Sequence, residues 1–126
     1  MLGQKDAAAT VAVRDIARAK AFYRDVIGMT PTQEMAAEGV VEFRSGASTI
    51  VVYRSDFAGT NKATTLTFAA GGDFDRVVAD LRTKGVAFEH YDMPGAAHEG
   101  DVHVFGTMRL AWFKDPDGNI IHVHNM

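Results

Sequence analysis

The sequence predicts an α+β fold in which two βαβββ repeats curl into a partly open mixed-sheet barrel with helices outside. Two observations carry this. The order strand, helix, three strands occurs twice along the chain, as a repeat of pattern more than of residues. The second copy ends in an apolar hairpin, Trp112-Phe113-Lys114 and Ile120-Ile121-His122, joined by Asp115-Pro116-Asp117-Gly118-Asn119. Pro and Asp start turns, and Gly and Asn tolerate positive φ. Each half alone would leave its sheet half covered, and pairing the halves buries both in one core.

The elements follow in order. Residues 8–13 are small and β-branched, a first strand. Asp15 is placed to cap a helix whose apolar residues Ile16, Ala19, Phe22, Tyr23 and Val26 keep a 3.6-residue rhythm, and Gly28 ends it. Strand-like runs follow at about 29–35, 40–44 and 49–54. The polar stretch Ser55 to Lys62 reads as a linker. Residues 64–69 begin the second copy. Asp73 is placed to cap a helix with Phe74, Val77, Val78 and Leu81 on its apolar face, ended by Gly85. Residues 86–91 form a strand, 93–100 a loop, and 109–113 with 120–124 the closing hairpin. The expected organisation is one domain over 1–126 with half-modules at about 8–54 and 64–126.

Composition narrows the function classes. The chain has 126 residues, 47% hydrophobic and 23% charged, with a formal net charge of -3 and scattered Lys and Arg. That argues against nucleic-acid and membrane-surface partners. It contains no cysteine, which removes disulfides and thiolate metal sites. No apolar run is long enough to span a bilayer, and residues 1–6 do not open a signal peptide, so a cytoplasmic location is expected. No phosphate-binding loop, nucleophile elbow or Cys/His dyad is present, and Gly71-Gly72 is a strand-to-helix turn.

Val13-Arg14-Asp15, the run Ala21 to Met29, Leu81-Arg82-Thr83-Lys84-Gly85-Val86 and the Asp115–Asn119 turn, in this order and spacing, resemble the glyoxalase / bleomycin-resistance / extradiol-dioxygenase superfamily, the vicinal oxygen chelate proteins. Ala58 to Thr64, Tyr91-Asp92-Met93-Pro94 and Ala111 to Asp115 resemble a glyoxalase-like branch of it. The resemblance implies a concave sheet face that holds a small molecule, and a homodimer. In the metal-dependent members four His or Glu side chains hold one divalent ion. Those positions fall here on Ala8, Val52, Thr65 and His122. Ala and Val cannot ligate a metal, Thr is a poor ligand, and one imidazole binds too weakly alone. No metal or other cofactor is therefore expected. The alternative is one divalent ion at a shifted site that includes His122, with His124 and His103 as further ligands.

Side chains alternate between faces along a strand. From position 122, Ile120 and His124 also point into the concavity. From 52, Ile50 and Arg54 do, with Val51 and Tyr53 outward. From 65, Thr67 does. The resemblance places Leu110 and Trp112 in the wall. The candidate ligand-binding residues are Thr10, Arg54, Thr65, Thr67, Leu110, Trp112, His122 and His124, and the candidate catalytic residue is His122. His122 reads either as a ligand-binding or acid/base group or as a hydrogen-bonded strand histidine. His98 and His103 read as solvated residues of a flap over 94–106, and His90 as outward-facing. The expected function is binding of a small organic ligand without the family's metal site. The alternatives are a metal-dependent or His-assisted lyase, isomerase or dioxygenase, and a non-catalytic partner-binding module.

Overall fold

The computed structural model describes residues 1–126, the Ala36 side chain excepted. Contacts divide it into two compact units, Met1–Asn61 and Lys62–Met126.

The first unit is a four-stranded sheet in the order β1-β4-β3-β2, formed by β1 (Ala9–Val13), β2 (Thr30–Met35), β3 (Val40–Ser45) and β4 (Ser48–Arg54). β1 and β4 are parallel, and the β2–β3 and β3–β4 pairs are antiparallel. Helix α1 (Ile16–Ala21) opens at Asp15, whose carboxylate accepts the Arg18 N–H at 3.0 Å. It continues as a π-helical segment, Phe22–Val26. The wider turn is how one apolar face stays on the sheet to its end: Tyr23 is fully buried and its ring lies 6.2 Å from that of Phe43. Gly28 then takes φ 88°, which releases the chain into β2.

The register corrects one expectation. Thr10 pairs with Val51, and Val11 pairs with Val52, which also opposes Val41. Cross-strand partners share a face. Val52 and Ile50 therefore belong to the buried face with Val11, Val41 and Phe43, while Thr10 shares its face with Val51 and Tyr53. Every residue of this strand is apolar from 50 to 53, so its alternation gave no sign of which face was which.

The second unit is a six-stranded sheet with the path β5-β10-β9-β8-β7, and β6 pairs with β9. Its strands are β5 (Thr64–Ala69), β6 (Phe88–Glu89), β7 (Ala97–Glu99), β8 (Val102–Phe105), β9 (Met108–Lys114) and β10 (Ile120–His124). β5 and β10 are parallel, as β1 and β4 are in the first unit. Helix α2 (Phe74–Thr83) buries Phe74, Val78 and Leu81, spaced for one face. Asp73 stands at its N-cap without a side-chain cap bond and pairs with Arg76 instead. The residues before it form a 3₁₀ turn, Gly71–Asp73, which takes the place of the expected cap geometry.

Two further sequence readings change here. The stretch read as a flap contains the β7–β8 hairpin, turned at Gly100 with φ 61°. The strand expected over 86–91 shortens to Phe88–Glu89. The closing hairpin is as read. Asp115 Oδ1 accepts the N–H groups of Asp117 (2.9 Å) and Asn119 (2.8 Å), and its Oδ2 accepts from Asn119 Nδ2 at 2.7 Å. No helix among the described residues is long and apolar enough to cross a membrane.

Candidate functional site

The register of the second sheet gathers one set of side chains on one face. His122 lies between Thr67 on β5 and Trp112 on β9, and His124 pairs with Leu110. Leu110 in turn opposes His103 on β8, and His103 opposes His98 on β7. The other face carries Leu66, Phe113, Ile121 and Val123, all buried. Thr65 is the exception to the ladder. Ile120 pairs with Thr64 and Ile121 with Leu66, so Thr65 is the extra residue of a bulge.

The rings on this face touch in series. His90 and His98 lie 6.3 Å apart, His98 and His103 4.5 Å, and His103 and Trp112 5.0 Å. Trp112 and His122 stack at 4.4 Å with 20° between planes, and His124 lies 5.6 Å beyond. All five histidines of the chain thus belong to one array around its single tryptophan. Tyr91 adds a ring edge-on to Trp112 at 5.5 Å. The indole touches both His103 and His122, so it parts His103 from the His122–His124 pair with which it was expected to share a rebuilt metal site. Among the described residues no group of three or more His, Asp or Glu side chains stands where it could hold a metal ion.

Backbone groups fix which nitrogen of each ring carries its proton. A carbonyl only accepts, so His122 Nδ1–H donates to Ala111 O at 3.1 Å and Nε2 is left bare in the neutral ring. His103 is the reverse. Its Nε2 accepts the Tyr91 N–H at 2.9 Å, so Nδ1 carries the proton. His98 Nε2–H donates to the Tyr91 carbonyl at 3.1 Å. Tyr91 is therefore held by both its backbone groups between two imidazoles of the hairpin. His124 Nδ1 accepts the Met126 N–H at 3.1 Å.

Burial sets the charge state. It pushes the pKa of His122 and of His103 below the ordinary imidazole value, and the neighbouring His98 lowers His103 further. Burial also raises Tyr91, with Glu89 adding to it, so the phenol keeps its proton. These three groups favour their neutral forms, and Glu89, opposite Trp112 in the ladder, pairs with Lys114 at 2.9 Å. Farther along, Asp101 joins Arg82 (2.8 Å) to His90 (2.8 Å) and is held below the usual carboxylate range by both.

Thr67, Leu110, Trp112, His122 and His124 thus come together, and Thr65 sits at the adjoining bulge. Thr10 and Arg54 lie in the first unit, on opposite faces of its sheet by register. Arg54 is exposed and lines a cleft of about 440 Å³ with Arg14, Asp15 and Glu38, where acidic and basic groups balance. His103 and Tyr91 are the residues the sequence reading undervalued. His103 is fully buried instead of solvated. The signal lay in Val102-His103-Val104-Phe105, a strand-like alternation directly after Gly100-Asp101.

The fold and this surface define a protein built from two βαβ-type modules, each with a parallel pair between its first and last strands, that presents an aromatic and imidazole face. The profile of the Glyoxalase/Bleomycin resistance protein/Dioxygenase superfamily matches residues 7–123, and the chain belongs to that superfamily. No curated protein matches it in sequence. Among solved structures it is similar to the fosfomycin resistance protein FosX from Mesorhizobium loti, at 15% identity over 98% of this chain and 92% of that one, with a TM-score of 0.71. Lactoylglutathione lyase from Agrobacterium tumefaciens is similar at 17% identity over 95% and 92%, with a TM-score of 0.70. A FosX variant from Listeria monocytogenes, complexed with Mn(II) and 1S,2S-dihydroxypropylphosphonic acid, is similar at 15% identity over 96% and 89%, with a TM-score of 0.69. At such identities the likeness is one of fold.

The superfamily's metal raises a question of fit. Position 8 is alanine, position 52 is a valine on the buried face, position 65 is a bulged threonine, and only His122 offers a nitrogen. Shifting the second position to Val51, which the register places on the Thr10 face, supplies no donor either. These residues do not fit a four-ligand divalent site.

Proposed function

We propose that this protein binds a small, planar organic molecule on the Trp112 face of its second sheet, without the superfamily's four-ligand metal site. One observation carries the reading: Trp112 stacks on His122, whose bare Nε2 remains as an acceptor on a face shared with Leu110 and Thr67. Indole and imidazole planes offer stacking area at low entropic cost, and the fixed tautomer offers one oriented hydrogen bond. The donor set at positions 8, 52 and 65 supports the metal-free part. The superfamily suggests a homodimer, and symmetric pairs are the commonest assembly.

The test joins elemental analysis to a ligand screen. Purified protein, then protein exposed to Ni, Zn, Mn and Fe, is expected to hold well under one ion per chain. Aromatic carbonyl and carboxylate compounds are expected to shift the Trp112 indole resonance, and light scattering to give twice the chain mass. One tightly held ion per chain that disappears in His122→Ala would overturn the metal-free reading. An unmoved Trp112 resonance across the screen would overturn the binding site, and a monomer would remove the dimer.

A further inference from the structure

We propose that the Tyr91 hydroxyl is a ligand contact: a buried donor for an acceptor oxygen, carbonyl or carboxylate, on the planar molecule held at Trp112. This assignment rests on the binding reading above and adds a class of ligand to it. Tyr91 Oη is buried and finds no hydrogen-bond partner among the described residues. Phenylalanine would fill the same volume without that orphaned group. The ring is not there by default of the backbone, because Tyr91 N–H and C=O are each committed, to His103 Nε2 and His98 Nε2–H. These two bonds hold the residue while its ring packs edge-on to Trp112.

Among the described residues no acceptor reaches the hydroxyl: the Glu89 carboxylate, whose charge it feels, is held by Lys114 at 2.9 Å. The ring neighbours of Tyr91 are Trp112 and His103, and the proton of His103 is on Nδ1. That nitrogen is also buried. The Leu110 carbonyl across the ladder favours a proton on the ring, but Nδ1 meets no acceptor at hydrogen-bonding geometry. A phenol that keeps its proton and an Nδ1–H therefore stand beside one indole as donors without acceptors. A ligand that brings an oxygen to this corner would satisfy them, and a hydrocarbon would not. The bare Nε2 of His122, on the stacked side of Trp112, accepts from a ligand donor instead.

The experiment uses two probes of one shape, 1-naphthoate and 1-methylnaphthalene, with binding read from the indole N–H resonance of the single tryptophan. Tyr91→Phe is expected to weaken 1-naphthoate about tenfold, to leave 1-methylnaphthalene unchanged, and to keep or raise the melting temperature. Equal weakening of both probes would make Tyr91 a packing residue and overturn the assignment alone, as would unchanged binding of both. A lowered melting temperature in the variant would show that the hydroxyl has an internal partner, with the same consequence. If neither probe moves the resonance in the parent protein, the binding reading falls and the assignment with it.

Discussion

Trp112 is the residue on which the candidate site turns, and its packing gives a direct prediction. It is 9% exposed and touches Tyr91, His103 and His122. Truncation removes the contact area of all three rings at once. Trp112→Ala is expected to cost about 3–5 kcal/mol in urea unfolding, and a loss under about 1 kcal/mol would show that the face collapses onto the gap. The place of Trp112 came from the resemblance alone, since residues 110–113 are uniformly apolar, whereas the shared face of Ile120, His122 and His124 was legible in the alternation of β10. The partners of Trp112 were not. Tyr91 and His103 come from a segment rich in Gly and Ala, and only long-range pairing of β8 with β9 carries His103 to the indole. Sequence spacing gives no warning of a contact made by ladder register.

At the scale of elements, two helix starts that look alike in sequence behave differently. Asp15 and Asp73 both precede an apolar helical rhythm, and each reads as a cap. Only Asp15 makes the bond, to the Arg18 N–H at 3.0 Å. The 3₁₀ turn Gly71–Asp73 brings Asp73 in at φ -87° and ψ 0°, away from the extended conformation of Asp15. A cap side chain reaches the N3 amide from the extended region, so Asp73 turns to Arg76 at the surface. Asp15→Ala is expected to cost about 1 kcal/mol. Asp73→Ala should cost no more than a surface pair, about 0.5 kcal/mol. Equal losses in thermal unfolding would sink the distinction. A similar contrast separates strands β4 and β10. β10 alternates histidine with isoleucine and valine, whereas residues 50–53 of β4 are uniformly apolar, so only the pairing with β1 reveals its faces.

At the scale of the whole molecule, the repeat of strand order was legible, and the unequal distribution of chemistry within it has a physical consequence. Every histidine lies in the second unit, Lys62–Met126, and none in Met1–Asn61. Burial holds His103 and His122 below the ordinary imidazole pKa. The unfolded chain takes up these protons near the ordinary value, about pH 6.5, whereas the folded chain resists them to lower pH. Stability from the two neutral rings is therefore fully present above about pH 6.5 and is lost as pH falls from there toward their folded values. His103 adds a structural element to this linkage. Its Nε2 cannot accept the Tyr91 N–H once protonated, so acid also releases the segment that the hairpin holds. Around His103 the other titratable groups are His98, His90 and Tyr91, and His122 lies on the far side of Trp112. None of them is a carboxylate that would reverse the sign. Amide hydrogen exchange between about pH 8 and about pH 5, corrected for intrinsic rates, is expected to show protection falling first in β8, β9, β10 and the Tyr91 amide. Protection in β1, β3 and β4 should persist to lower pH, since no imidazole is buried in the first unit. Uniform loss across both units, or earlier loss in the first, would show that acid acts through carboxylates and not through the imidazole array.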